Sequence, residues 1–386
     1  RIRVIGQGTA AVAGQSTAAI LDELTDATLD VDAITATELS GFGMRLDMSD
    51  TLAIAVSQSG TTTDTNRTVD LLRSRGAAVI GIVNRRSSDL TDKADGVLYT
   101  SDGRDVEMSV ASTKAFYAQV AAGALLSCAI AEATGLGDAR RRSELLASLR
   151  ELPDALREVL TRRDVIADAA RRLAPSKRYW AVVGNGPNKV AAEEVRIKLS
   201  ELCYKSMACD STEDKKHIDL SSEPLILVCA AGLSGSTADD VGKEVAIYRA
   251  HKALPIVIAT EGELRFKAAA DVITVPEVHP QLADYRIEYA WGGNVGFTFD
   301  RMPHAGRTKD GVAYALGCCG TGVALMTYLG TRVGQWLAGA GEAPALSALD
   351  FPIVPAPYEG RPWFLPFAGE WYRLQDRLAA RSRHKP

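Results

Sequence analysis

Ile54-Ala55-Val56-Ser57-Gln58-Ser59-Gly60-Thr61-Thr62-Thr63-Asp64-Thr65 decides the fold. An apolar run stops, five hydroxyl side chains crowd into residues 57–63 around one glycine, and a polar segment with helical periodicity follows. A strand that passes straight into a helix through such a turn is one half of a βα unit, the building block of a parallel sheet. The turn also carries chemistry. Unsatisfied backbone N–H groups and the positive end of a helix dipole converge there with hydroxyl donors, which makes an anion site. No lysine lies in the loop, so it is not a nucleotide P-loop. The plainer alternative is a helix capped by Thr62 or Thr63; five hydroxyls together with Gln58 and Gly60 favour the anion site.

The surrounding sequence follows the same alternation. Strand-like runs at 3–6, 52–56, 78–83 and 97–99 are separated by helical periodicity at 10–24, 63–75 and 113–133, so residues 1–135 are expected to form an α/β domain whose parallel sheet has helices on both faces. Residues 136–173 are rich in Arg, Glu and Leu and predict linker helices, at 143–150 and 153–160. The order then recurs over 174–283: strands at 179–183, 225–229, 256–259 and 272–275, with helices at 189–204 and 242–253. A Ser/Gly/Thr turn, 231–237, again follows strand two, and strand two trails strand one by about 46 residues against about 48 in the first half. Order, spacing and turn type predict a tandem duplication.

After residue 283 the pattern changes. Of the aromatic residues only 9 lie in 1–283, whereas 284–386 hold 4 Trp, 5 Phe and 6 Tyr, together with a strand-like 312–316 and a helix at 320–336. This tail is expected to be an irregular α+β piece of different origin. With 386 residues, 46% apolar, the chain can bury sizeable cores, and a net charge of −4 argues against a broad nucleic-acid surface. Six cysteines without paired ligand spacing fit neither a disulfide scaffold nor a metal site and point to a reducing, cytoplasmic setting. The longest apolar stretch, 118–133, is shorter than the roughly 20 residues of a membrane span and is expected to be a buried helix. The chain opens at Arg1 directly into an apolar strand, as expected of a piece of a longer protein without a leader.

Three further clusters carry candidate chemistry. Val110-Ala-Ser112-Thr113-Lys114-Ala-Phe116 stands at a helix start after the last strand of the first half, on the sheet edge where the Ser57 turn also lies, so Ser112 can converge with that turn or simply cap its own helix. Gly6-Gln7-Gly8-Thr9-Ala10-Ala11 matches a dinucleotide fingerprint, a weak signal alone. In the second half Lys198 and Glu201 are three residues apart on one helix face, as in many solvated ion pairs, and His217 follows sixteen residues later. A carboxylate and a histidine beside a phosphate cradle suit proton transfer between adjacent carbons and the opening of a sugar ring. His251, His279, His304 and His384 stand outside such a constellation.

Gly8-Thr9, Ser57-Gln58-Ser59-Gly60 with Thr62, and Val110–Phe116 resemble the first sugar isomerase (SIS) domain of the glutamine:fructose-6-phosphate aminotransferases, the glucosamine-6-phosphate synthases; Lys198-Leu-Ser-Glu201-Leu-Cys-Tyr204 through His217 resembles their second. The resemblance covers about residues 1–283 and implies two tandem flavodoxin-like SIS domains, acting on fructose 6-phosphate in a homodimer without metal. By it, Thr9, Ser57, Gln58, Ser59, Thr62 and Ser112 would hold the sugar phosphate. Glu201 would carry the proton between C1 and C2, Lys198 would assist it, and His217, reaching into a neighbouring subunit's site, would open the ring. Ala10 stands where the family usually has Ser, and the glutaminase domain and the lysine-bearing C-terminal tail of the family are not in this sequence. Residues 289–306 and 314–325 instead resemble the end of a D-amino-acid-oxidase-like FAD oxidoreductase, which implies a junction near Ala283-Asp284, with FAD as a cofactor only if the tail reading holds.

Overall fold

A computed structural model describes residues 1–101, 112–203, 205–215, 219–282, 302–308, 310–317 and 322–349. These fall into two compact units, the first ending at residue 282 and the second beginning at 302.

In the first unit β1 (Ile2–Gly6) leads to α1 (Thr9–Leu24) and β2 (Val31–Thr35). A short α2 (Ala36–Glu38) and a π-helical turn, Leu39–Gly43, precede β3 (Leu52–Ser57), α3 (Thr63–Ser74), β4 (Ala78–Val83), α4 (Asp89–Lys93) and β5 (Gly96–Tyr99). Then come α5 (Lys114–Thr134), α6 (Ala139–Thr161) and α7 (Arg163–Leu173). The second run comprises β6 (Trp180–Gly184), α8 (Pro187–Cys203), β7 (Ala208–Asp210), α9 (Thr212–Lys215), β8 (Leu225–Cys229), α10 (Gly235–Ala250), β9 (Leu254–Thr260) and β10 (Asp271–Val275).

Each run forms a five-stranded parallel sheet, in the orders β2-β1-β3-β4-β5 and β7-β6-β8-β9-β10. The two orders are identical strand for strand, and both are the flavodoxin-like doubly wound order. Strand residues alternate between two cores. Val4, Ile54, Val56 and Ile82 pack under α1 and α5, against Val12, Ile20, Leu21, Phe116 and Val120. Ile5, Ala53, Ala55, Val79 and Val83 pack under α3 and α4, against Val69, Leu72 and Leu90. Helix α5 is the one described helix long and apolar enough to cross a membrane, and 61% of that stretch is buried inside the protein.

Three details depart from the sequence expectations. The edge strands β2 and β7 were not foreseen: Val31-Asp-Ala-Ile-Thr35 is at best half-buried, and Ala-Cys-Asp is three residues long. Both pair on one side only and carry polar residues or are very short, so no continuous apolar run announces them. Helix α10 begins at Gly235, ahead of the expected 242, because only Ala238 and Val241 of its first two turns face the core. Helix α6 runs unbroken through Pro153 where two helices were expected; Leu145 and Val159, buried on either side, hold it together despite the lost N–H.

In the second unit β11 (His304–Arg307) pairs antiparallel with β12 (Ala313–Leu316), and α11 (Gly322–Leu337) follows. Ala305, Leu329 and Val333 form its small core. Residues 284–301 and 350–386, including the proposed junction and most of the aromatic tail, lie outside the described residues.

Candidate active site at the carboxyl edge of the first sheet

The chain leaves β1 for β2 on one side and β3 lies on the other, so a crevice opens between the carboxyl ends of β1 and β3. Ile5 pairs with Ala55, which sets Ser57 at the level of Gln7, with Thr9 opening α1 just beyond. The first turn of α1 lies so close over the strand end that a Cβ on Gly6 would stand 2.8 Å from the Ala10 carbonyl carbon and the Ala11 nitrogen. Gly184 ends β6 in the same way: a Cβ on it would stand 2.2 Å from the Asn188 carbonyl oxygen. The glycine pattern at Gly6 is thus the same helix-on-strand packing in both repeats.

Ser57 is buried at the end of β3, and its Oγ accepts the Gly60 N–H at 3.0 Å and lies 3.5 Å from the Thr62 hydroxyl. Ser59 Oγ accepts from the Thr61 N–H and hydroxyl at 3.2 and 3.0 Å. Buried Asn66 donates to the Gly60 and Thr62 carbonyls at 3.0 and 3.1 Å and tethers the loop from inside α3. Thr62 is the residue before α3 yet makes no side-chain cap bond, so the capping alternative does not account for these hydroxyls. Gln58 lies in the same loop, half-buried, its backbone carbonyl accepting from the Asn84 and Arg85 N–H groups. At the start of α5, Ser112 Oγ is buried without a hydrogen-bond partner, while the residue before the helix is Thr113, again without a side-chain cap bond.

The second repeat reaches this edge through α8, which packs on α1. The Thr9 hydroxyl donates to Glu194 Oε1 at 3.3 Å, and Lys198 Nζ lies 3.5 Å from that same oxygen and 2.8 Å from Glu201 Oε2. Thr9, Lys198 and Glu201 are therefore brought together, with a fourth member, Glu194, that the sequence reading passed over. Glu194 is 6% exposed, its Oε2 has no hydrogen-bond partner, and burial pushes its carboxyl up to about 8 despite Lys198 and Thr9. The available signal was the stripe Glu194, Lys198, Glu201 at i, i+4 and i+7, which marks one helix face. His217 lies outside the described residues. Among the described residues no three His, Cys, Asp or Glu side chains gather as metal ligands.

One ammonium facing two carboxyl groups can neutralise only one of them, and burial decides which keeps its proton. Glu194 is the buried one, leaving the more exposed Glu201 in direct salt bridge with Lys198. Two carboxyl groups in contrasting environments on one helix face, in contact with Thr9 at the same sheet edge as the hydroxyl loop, can serve acid and base roles.

Residues 1–129 match the family model of the SIS domain. The chain is 36% identical over 238 residues to a glutamine--fructose-6-phosphate aminotransferase [isomerizing] of Thermus thermophilus, covering 61% of this chain and 39% of that protein. It is 34% identical over 260 residues to the protein of that name from Mycolicibacterium smegmatis, covering 65% and 40%. The chain thus spans about two fifths of the length of these relatives. In fold it is similar to the C-terminal domain of glucosamine-fructose-6-phosphate aminotransferase from Francisella tularensis, with a TM-score of 0.67, 20% identity, and coverage of 74% of this chain and 79% of that one. It is also similar to the tagatose-6-phosphate ketose/aldose isomerase of Escherichia coli, with a TM-score of 0.60, 19% identity, and coverage of 74% and 77%. Residues 1–129 of the first repeat thus match the SIS domain, and the chain is similar in sequence to a glutamine--fructose-6-phosphate aminotransferase over 61% of its length.

Proposed function

We propose that residues 1–283 form a cytoplasmic, homodimeric sugar-phosphate isomerase module that binds fructose 6-phosphate and interconverts ketose and aldose, the step that leads to glucosamine 6-phosphate where an ammonia source is supplied. The contact chain Thr9–Glu194–Lys198–Glu201 supports this reading, because it links acid–base groups to Thr9, which opens α1 at the carboxyl end of β1, next to the strand that ends in the hydroxyl loop. Hydroxyls of Ser57, Ser59, Thr62 and Ser112, with Gln58 and Thr9, hold the phosphate. Glu201 takes the C1 proton and returns it to C2, Lys198 holds that carboxylate in a salt bridge, and protonated Glu194 donates a hydrogen bond to developing oxyanion charge. His217 of a neighbouring copy opens the ring. The relatives' name supports the substrate, and the E. coli neighbour's name supports the ketose–aldose chemistry.

Titration of the purified chain with fructose 6-phosphate, followed by a coupled assay for glucose 6-phosphate, tests both parts. Saturable stabilisation with turnover that Glu201→Gln lowers at least 100-fold is the expected result, within the range general-base removal costs. Turnover by Glu201→Gln at the parent rate removes Glu201 from the mechanism. Binding without any turnover makes the module a sensor, and absence of binding refutes the reading.

A further inference from the structure

We propose that Arg85 and Arg86 form a cationic rim to the hydroxyl loop and supply the charge that an anionic substrate group needs there, an inference that rests on the phosphate-binding reading of that loop. Residues 84–90 are seated directly against it. The N–H groups of Asn84 and Arg85 both donate to the Gln58 carbonyl at 3.2 Å, and the Leu90 N–H donates to the Gly60 carbonyl at 3.0 Å. Gly60, at φ +66, lies so near that a Cβ on it would stand 2.0 Å from Ser88 Oγ. Arg85 therefore touches the loop through its backbone N–H, and Arg86 follows it directly on the same edge of the sheet.

Electrostatics shows what they add. A phosphate monoester brings about −1.5 to −2 charge. Against it the start of α3 offers roughly half a positive charge, and exposed Asp64 in its first turn subtracts a full one. Residues 57–63 contain no cation. Lys114, which opens α5 next to Ser112, already has interaction partners. The hydroxyl loop itself thus offers a phosphate donors but no full positive charge.

Both arginines are exposed, and neither forms an ion pair among the described residues. The Arg86 guanidinium lies 4.4 Å from the centroid of the Tyr99 ring. Stacking on a ring restrains the plane and leaves the in-plane N–H donors available to an oxyanion. Asn84 donates to the Thr100 and Ser101 hydroxyls at 3.2 and 3.0 Å, which ties the start of the arginine loop to the end of β5.

Calorimetric titration of the full chain with fructose 6-phosphate and with inorganic phosphate, each at low and high salt, tests the rim. The unsubstituted chain is compared with Arg85→Gln, Arg86→Gln, the double variant, and Arg73→Gln, whose guanidinium pairs with Asp95 at the far end of α3. The double variant is expected to bind both ligands about tenfold more weakly at low salt, as loss of charge-assisted contacts implies. Its affinity should also change less steeply with salt, while Arg73→Gln matches the parent. Unchanged affinity and salt dependence in the double variant overturn the rim and leave the phosphate reading standing. A parent chain that binds neither ligand overturns both.

Discussion

Lys198 between Glu194 and Glu201 places two carboxyl groups on one ammonium, and the sign of the consequence follows from burial. Glu194 titrates near 8 in the folded chain against an ordinary 4.5. The unfolded chain loses that proton as the pH passes 4.5, whereas the folded chain keeps it until about 8. Between these values the unfolded state binds fewer protons, so stability falls as pH rises and the loss is complete above 8. Each unit is worth about 1.4 kcal/mol, which makes the cost on the order of a few kcal/mol. Glu194→Gln, which mimics the protonated acid, is expected to melt like the parent near about pH 5 and above it near about pH 9. A difference that is the same at both pH values would show that the Glu194 carboxyl is not held neutral by the fold. The sequence announced Lys198 and Glu201 by their spacing. Glu194 stands one turn earlier on the same helix face, but its part in the site was not legible, because the seating of α8 on α1 buries that side chain and sets it against Thr9.

At the scale of elements, the hydroxyl loop is held by a residue that binds nothing itself. Asn66 sits one turn into α3, 5% exposed, and its amide bonds the Gly60 and Thr62 carbonyls. Asn66→Ala removes one of two donors from each carbonyl, the Leu90 N–H remaining on Gly60 and the backbone N–H of residue 66 on Thr62, and is expected to destabilise the first repeat by about 0.5–1.5 kcal/mol. It should also weaken phosphate binding by loosening the donors; chemical denaturation and calorimetry on the same variant read both effects. Unaltered affinity would show that α3 alone shapes the loop. Gly6→Ala acts on the neighbouring turn, where a Cβ meets backbone atoms rather than a flexible side chain. Loss of about 1–3 kcal/mol of stability or more is expected, as for other overpacked sites, with a lowered melting temperature as the readout. These elements were legible because central strands such as Leu52–Ser57 are continuous apolar runs and their turns carry distinctive residues. The edges β2 and β7 were not, since pairing to a neighbour, rather than composition, makes them strands.

Across the first unit, the two repeats are joined by more than the contact of α1 with α8. Arg162, at the end of α6, donates to the Thr274 carbonyl and hydroxyl at 3.0 Å, and Arg172 of α7 pairs with Asp271 at 2.6 Å, so the linker helices grip β10. The chain after β10 then turns back onto the first repeat. The His279 N–H donates to Ser148 Oγ of α6 at 2.9 Å, Gln281 donates to Glu23 of α1, and Leu282 is buried in the first-repeat core. Val278 packs against core residues of both repeats. A segment contributed by the end of the second repeat thus completes the core of the first, and the duplicated order visible in the sequence gives no hint of that exchange. Leu282→Ala is expected to cost about 2–5 kcal/mol, as for a buried leucine truncation. If the repeats are coupled as this packing requires, hydrogen exchange should speed in α1 and β1, hundreds of residues away in sequence, and the unit should still melt in one transition. Faster exchange confined to β9 and β10 would show instead that each repeat is stabilised on its own, and that the returning segment only rests on the first.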